Sequence, residues 1–481
     1  MMNNAPTFRI AACDAFISEA YTRMPFRYGN ACLTAAPILH VRVRIVSSTG
    51  EEAVGIAADC LPPLWFDKDP KKDYRRNVDD QLTAFQTARE IYLLLGGNLN
   101  TARDLWEASY SRILDEAQAS GINALTASFG GSFFERAIVD AVCRLKSVSL
   151  YDGLSKNLLG LETAKDLPED PPKQLWCRHT IGLADPITAR EIPDEERLSD
   201  GLPQALEEDI EFYGLRYFKV KVCGDHEQDL SRLTRMSALF AQRCPNGYTV
   251  TLDGNEQYKD LHNLEKLLDA IQSQPYGKEF FDAILFIEQP LHRDLALHDT
   301  AASGIVNLSE VKPIIIDESD DRLDAFSQAT ALGYSGVSHK NCKGIFKSLV
   351  NRQLINDLNR EVDEPRYFQS GEDLANVAVI PLQEDLASIV ALGVDHVERN
   401  GHHYYHGLDH LPEREAENAL ATHGDLYEAR EGSVFLRVVD GRIDVGSVID
   451  AIGYGYSCKI SIEERTPIDK WSFDRLDIDR T

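Results

Sequence analysis

The chain has 481 residues, 43% hydrophobic and 26% charged, which supplies a large apolar core and excludes extended disorder. Fifty Lys and Arg against 77 Asp and Glu leave a formal charge of −27, and that field opposes extended contact with nucleic-acid backbones or anionic membranes. At about 150 residues per domain, or ~250 for a barrel, the length favours two unequal domains.

From Phe8 to Gly55 the sequence alternates, with Val41, Val43 and Ile45 on one face and a turn at Gly50, the pattern of an antiparallel meander. Helical periodicity follows over Val78 to Leu95, Thr101 to Ala119 and Phe133 to Leu150. Strands first and helices afterwards predict an α+β domain over residues 1–170, closed by the Pro-rich LPEDPPKQ at Leu167 to Gln174. The amino terminus MMNNAPTFRI lacks a basic segment followed by an apolar one, so no signal peptide is expected. The longest charge-free stretch, Ala117 to Phe134, is too rich in Gly, Ser, Thr and Asn to span a bilayer. Nine dispersed cysteines without a C-x-x-C pair point to reduced thiols. A cytoplasmic protein is expected, assembled as a homo-oligomer, with neither nucleic acid nor membrane as partner.

Beyond Leu175 short apolar runs alternate with helical stretches: LWCRHTIGL, YFKVKVCG, GYTVTLDGN, AILFIEQP, KPIIIDES, YSGVSHKN, RYFQSGED and ASIVALGV. Eight β-then-α units predict a closed parallel (β/α) barrel over 171–412, with 413–481 as a carboxyl-terminal segment. Active sites of such barrels lie at the carboxyl ends of the strands. There the sequence places Lys219 and Lys221, then Asp253 followed by Asn255 and Gln257, then Glu288, then Asp317 and Glu318, then Lys340. The spacing of one βα repeat between successive groups sets them around one rim.

Three carboxylates on adjacent strands suit a hard divalent cation, Mg²⁺ with Mn²⁺ as a substitute. Strand alternation turns Lys219 and Lys221 to the same face. Their mutual repulsion beside a dication is expected to lower a lysine from about 10.4 toward ~7 to 8, where an amine serves as general base. Lys340 lies four strands from Lys221, so a substrate between them would present opposite faces to the two.

The wording of KVKVCGD, LDGNEQY, FIEQPL, IIDESD and HKNCKGI resembles the enolase superfamily, in particular its muconate-lactonizing-enzyme-like subgroup, which includes dipeptide epimerases and o-succinylbenzoate synthases. FFERAIVDAVCRLKSVSLYDGL is similar to that family's helix joining cap to barrel, and VVDGRIDVGSVIDAIGYGY to its returning carboxyl-terminal segment. The resemblance implies a capping domain on a modified TIM barrel. It also implies Asp253, Glu288 and Asp317 as metal ligands, Lys221 and Lys340 as the acid/base pair, and Lys219 as helper of Lys221. The reaction it implies is removal of the proton α to a carboxylate through a metal-stabilised enediolate, followed by racemisation, epimerisation, cycloisomerisation or elimination. A lysine on each face favours a racemase or epimerase acting on a small carboxylate. Strand seven, RYFQSGEDLANV, carries no histidine, against the dyad of mandelate racemase and the sugar-acid dehydratases, and Gly344 is followed by Ile345 where the family has a second glycine. A Schiff-base aldolase and a barrel retained only for binding are the rival classes.

Adjacent Asp317 and Glu318 compete for one inward position, and resemblance favours Asp317, leaving Glu318 and Gln257 as supports. Asn255 is a candidate substrate contact. Glu372, with Asp373, either orients a substrate amine or hydroxyl or caps the next helix. Arg23, Arg27 and Tyr28 in SEAYTRMPFRYGN are candidate contacts for a second polar group of the substrate, with a surface turn as the alternative. His402, His403, His406 and His410 follow the last strand; no acidic or thiol partner stands in a fixed pattern, so a loop closing over substrate is favoured above a zinc site.

Overall fold

The computed structural model describes residues 5–29 and 31–478. Met1 to Asn4, considered above for a leader, and Asn30 of the Ser18–Asn30 segment lie outside them.

The amino-terminal domain is a meander of β1 (Phe8–Tyr28), β2 (Ala31–Ser47) and β3 (Glu52–Cys60). Its buried face, including Val41, Val43 and Ile45, packs toward three helices, α1 (Tyr74–Leu95), α2 (Ala102–Ala119) and α3 (Ala124–Leu145). Asp73, Thr101 and Asn123 cap them, each side chain accepting a first-turn N–H. The third helix starts well before Phe133, inside the Gly- and Ser-rich stretch, because small residues are needed there. A Cβ on Gly130 would lie 2.4 Å from the Ala84 backbone of α1, and one on Gly55 of β3 would lie 2.0 Å from Ala137 O. Close backbone approach, rather than apolar bulk, is what that segment contributes.

Eight parallel strands then close into a barrel: β4 (Gln174–Ile181), β5 (Tyr217–Lys221), β6 (Thr249–Asp253), β7 (Ile284–Glu288), β8 (Ile314–Ile316), β9 (Gly336–His339), β10 (Phe368–Gly371) and β11 (His396–Arg399), with β11 pairing β4. The run ASIVALGV is not the eighth strand. It lies within and just after the helix Ile380–Ala391, buried on every side against the barrel and the cap, and the strand is the shorter HVER that follows. Apolar periodicity alone does not separate a wholly buried helix from a buried strand.

The carboxyl-terminal segment forms the hairpin of β12 (Tyr427–Arg430) and β13 (Ser433–Leu436). It then lays β14 (Arg442–Asp444) antiparallel on the start of β4, and β15 (Thr466–Pro467) on Phe16–Ile17 of β1. Buried charges fasten cap to barrel. Arg136 of α3 reaches Asp59 at 3.1 Å and Glu384 of the helix Ile380–Ala391 at 2.8 Å, and Glu135 accepts the Phe346 N–H at 2.6 Å. Among the described residues no helix is long and apolar enough to cross a membrane, and all nine cysteines are free thiols.

Candidate active site at the barrel mouth

Register brings the carboxyl-terminal residues of adjacent strands side by side, Lys221 with Asp253 and Asp253 with Glu288. Lys221 Nζ lies 2.5 Å from Asp253 Oδ2. On the far side of the mouth Lys340 Nζ lies 2.7 Å from Asp317 Oδ2. Lys219, two residues below Lys221 and fully buried, stands among four carboxylates: Asp253 at 3.0 Å, Glu288 at 2.7 Å, Glu372 at 2.6 Å and Glu398 at 2.9 Å. An ammonium has three N–H donors, so four anions around it are more than it can serve. Lys219 donates to Glu288 Oε1, Glu372 Oε2 and Glu398 Oε2, Asp253 receives only the ion pair, and the buried Glu288 Oε2 makes no well-directed hydrogen bond among the described residues.

The charges follow from these contacts. Burial raises the carboxyl of Glu288, and Asp253 and Glu372 push it further, well above the ordinary glutamate range. Burial also opposes ionisation of Asp317, but Lys340 and Lys343 hold it well below its usual value. Burial would lower the Lys219 amine, yet Asp253, Glu288, Glu372 and Glu398 hold it far above normal; Asp317 does the same for Lys340. At Lys219 the lowering effect expected of lysine–lysine repulsion is therefore overridden, because the surrounding acids outweigh the like charge.

Asp253, Glu288 and Asp317 fit a divalent cation by donor chemistry, being buried oxygen ligands at the ends of three adjacent strands with one under-compensated carboxylate among them. Glu318 faces away from Lys219; it pairs with Lys68 of the cap at 3.3 Å and accepts from Asn255 Nδ2 at 3.2 Å. Asn255 borders a small cavity together with Lys221 and Lys340. Gln257 instead donates to Asn255 O at 3.2 Å, and among the described residues it makes no hydrogen bond to Asp253, Glu288 or Asp317.

Several site residues escaped the sequence. Glu398 ends β11, and placing the last strand one segment early hid it. Arg178 faces inward from β4 to Thr251, Ser370 and Glu372, a charge within the apolar run LWCRHTIGL. Lys343 returns to Asp317 at 3.0 Å through the short turn Asn341–Lys343, three residues after Lys340. Gln289 accepts the Asp317 N–H at 2.8 Å and so braces that ligand from β7.

The cap roofs the mouth. The tip of the β1–β2 hairpin and the loop after β3 bring Phe26, Tyr28 and Trp65 over Lys221, Lys340, Asn255 and Glu398, around a cavity of about 30 Å³, roughly one water molecule. Trp65 stacks on the Lys340 ammonium, 4.3 Å from ring centre, and its indole N–H has no hydrogen-bond partner among the described residues. Strand alternation decides which residues of SEAYTRMPFRYGN face inward. Tyr28 does; Arg23 and Arg27 lie on the other face of β1, along a separate surface cleft of about 930 Å³. Arg27 is exposed, and Arg23 is engaged with Asp200 at 2.5 Å and the carbonyls of Pro203 and His403. Neither reaches the cavity. Glu372 is also turned down into the barrel, between Arg178 and Lys219, and is closed to substrate.

The histidine loop does not close over the mouth. His402 and His403 are buried against β4, His406 pairs with Asp409 at 2.7 Å, and His410 bonds Ala378 O at 2.7 Å. The short helix Gly401–Tyr404 ends before the spacing of four can align them on one face. His339 faces out of the barrel to Ser348 at 2.6 Å.

No protein-family model and no curated protein sequence matches the chain. Solved structures do. A muconate lactonizing enzyme from Pseudomonas fluorescens, complexed with muconolactone, is 16% identical over 95% of this chain and 98% of its own, with TM-score 0.60. An enolase from Bradyrhizobium, complexed with magnesium and mandelic acid, is 15% identical over 97% and 100%, with TM-score 0.58. A dipeptide epimerase from Methylococcus capsulatus, complexed with Mg and the dipeptide L-Arg-D-Lys, is 18% identical over 90% and 99%, with TM-score 0.55. The chain thus shares the fold of these enzymes, an α+β capping domain on a closed eight-stranded (β/α) barrel.

Proposed function

We propose that the protein is a Mg²⁺-dependent enzyme that removes the proton α to the carboxylate of a small acid, and that it is a racemase or epimerase. The observation that carries this is the pair of lysines. Lys221 and Lys340 come from strands on opposite sides of the barrel and border one cavity, Lys221 paired with Asp253 and Lys340 with Asp317.

Asp253, Glu288 and Asp317 would hold the ion, and Mn²⁺ could replace it. When bound, the cation supplies positive charge for the substrate carboxylate and for the negative charge that accumulates as the α-proton leaves. The chain does the rest. Lys221 Nζ and Lys340 Nζ reach the α-carbon from opposite faces, one taking the proton and the other returning one. Lys219 sits beneath Lys221 and, against the effect of burial, favours the ionised forms of Asp253 and Glu398. Asn255 and the unpaired Trp65 N–H are donors for substrate oxygens, and Phe26, Tyr28 and Trp65 exclude water. A cavity the size of one water means that the hairpin tip must shift to admit substrate.

A Schiff-base aldolase is disfavoured, since it needs only one lysine and gives the buried Asp253, Glu288 and Asp317 no cation to hold. Elimination and cycloisomerisation share the first step but leave the second lysine without a task. The test is α-proton exchange in D₂O, followed by NMR over a panel of α-substituted carboxylates and dipeptides. Exchange that needs Mg²⁺ and stops with EDTA is expected; an absence of exchange across the panel refutes the proposal.

A further inference from the structure

Strand alternation gives β4 two chemical faces. Arg178 and Thr180 point into the barrel, to Glu372 and to Glu398, whereas His179 points outward to the layer of helices and loops. There it meets Asp209 of the helix Leu206–Tyr213 and His403 of the turn after β11. The three side chains are at most 2% exposed, and one ligand atom from each lies within 4.8 Å of the others.

Asp209 is the pivot. Its Oδ1 is 3.1 Å from His403 Nδ1 and its Oδ2 is 3.7 Å from His179 Nε2. That Oδ2 is buried and has no hydrogen-bond partner among the described residues, an arrangement that is costly unless something fills it. Two donors each about 2.0–2.1 Å from a tetrahedral zinc ion stand ~3.4 Å apart, between the two separations seen here. The other nitrogen of His179, Nδ1, is 3.0 Å from His402 Nε2, a contact that turns Nε2 toward Asp209 and matches the outer hydrogen bonds by which ligating histidines are oriented. Burial holds both His179 and His403 down at about 4, so the imidazoles are neutral, the form that ligates.

We propose that His179, Asp209 and His403 form a second metal site, of the zinc class, separate from the carboxylate triad and on the opposite face of β4. Two imidazoles and one carboxylate suit a borderline ion, whereas the all-oxygen triad suits Mg²⁺. The site joins β4, the helix after it and the turn after β11, at the seam where β11 closes the barrel on β4. Through the His403 carbonyl, 2.9 Å from Arg23, it also anchors β1 of the cap. Its role is to hold that seam together.

The test is zinc binding by the full chain, stripped of metal and titrated with Zn²⁺ against a chromophoric chelator, beside Asp253→Asn, Asp209→Asn and His403→Gln. About one tight zinc per chain is expected in the wild type and in Asp253→Asn, with affinity at least ~10-fold weaker in Asp209→Asn and His403→Gln. Zinc lost from Asp253→Asn and retained in His403→Gln would place the ion in the triad and overturn the proposal, as would a wild type that binds no tighter than His403→Gln. X-ray absorption at the zinc edge of the loaded wild type gives a readout that does not depend on any variant folding. Imidazole scattering supports the site, and an all-oxygen or sulfur shell refutes it.

Discussion

Lys219→Met keeps an unbranched side chain, one atom shorter, and removes one positive charge from the centre of Asp253, Glu288, Glu372 and Glu398. Asp253 retains Lys221 and Glu372 retains Arg178, but Glu288 and Glu398 lose their ion-pair partner while remaining buried. Breaking such a pair costs about 3–5 kcal/mol. With an unfolding entropy of about 2.1 cal/mol/K per residue, a chain of this length changes stability by ~1 kcal/mol per degree, so Tm should fall by about 3–5 °C in EDTA. Mg²⁺ should then act more strongly on the variant than on the wild type. At a hundred times its Kd a ligand adds about 2.7 kcal/mol, or ~3 °C on the same scale, and removal of the competing ammonium raises the affinity of the carboxylates for the dication. Differential scanning fluorimetry in EDTA and over a Mg²⁺ series measures both quantities. A variant as stable as the wild type in EDTA, or one with an equal or smaller Mg²⁺ shift, would refute the account of an over-surrounded lysine beside under-compensated acids.

Phe26→Ala, which removes a buried ring stacked on Tyr404 at 4.2 Å, should enlarge the cavity, cost about 3–5 kcal/mol in denaturant unfolding and shift turnover toward bulkier acids. An unchanged substrate profile would place Phe26 outside the specificity surface. Arg27→Ala should leave kcat/KM within about twofold, since the side chain is exposed on the outer face of β1; Arg23→Ala should lower stability by ~1–3 kcal/mol through the lost Asp200 pair and its carbonyl bonds. A large KM effect from Arg27 alone would contradict that orientation. Burial pushes Glu135 up to about 7, opposed by the Phe346 N–H and Arg136. The folded state therefore binds this proton more tightly than the unfolded one. That contribution is complete below about pH 4.5 and is lost as pH rises through 7, so Glu135→Gln should flatten the decline in stability between pH 5 and 8 by up to ~3 kcal/mol. Parallel stability curves would show that Glu135 does not titrate there.

The fold and the site were legible to different depths, for physical reasons. Charged residues that end apolar strands at one βα repeat are visible in a linear string, so Lys221, Asp253, Glu288, Asp317 and Lys340 could be placed around one rim before any coordinates. Strand seven's lack of histidine was visible in the same way. The eighth strand was not, because a helix buried on all sides reads like a buried strand, and with it went Glu398. Inward and outward faces of β1 were also hidden: Arg23 and Arg27 carry the charges that suggest a ligand, but alternation over Phe26–Tyr28 turns Tyr28 inward and Arg27 out, and an irregularity between Tyr21 and Phe26 leaves Arg23 against Asp200. The histidine cluster failed for a third reason. The carboxylate partner of His403, Asp209, and the second imidazole, His179, lie some 200 residues earlier in the chain, and only barrel closure brings β11 against β4. Patterns within one segment were readable, whereas partners supplied by closure were not.

The most direct test of the two-lysine account is α-proton exchange in D₂O by Lys221→Ala and Lys340→Ala, each with Mg²⁺ and with both stereoisomers of a substrate found for the wild type. Each variant should lose exchange from one stereoisomer and retain it with the other, in opposite senses. Equal loss from both stereoisomers in both variants, or full exchange remaining in either, would contradict bases on opposite faces of one bound carboxylate.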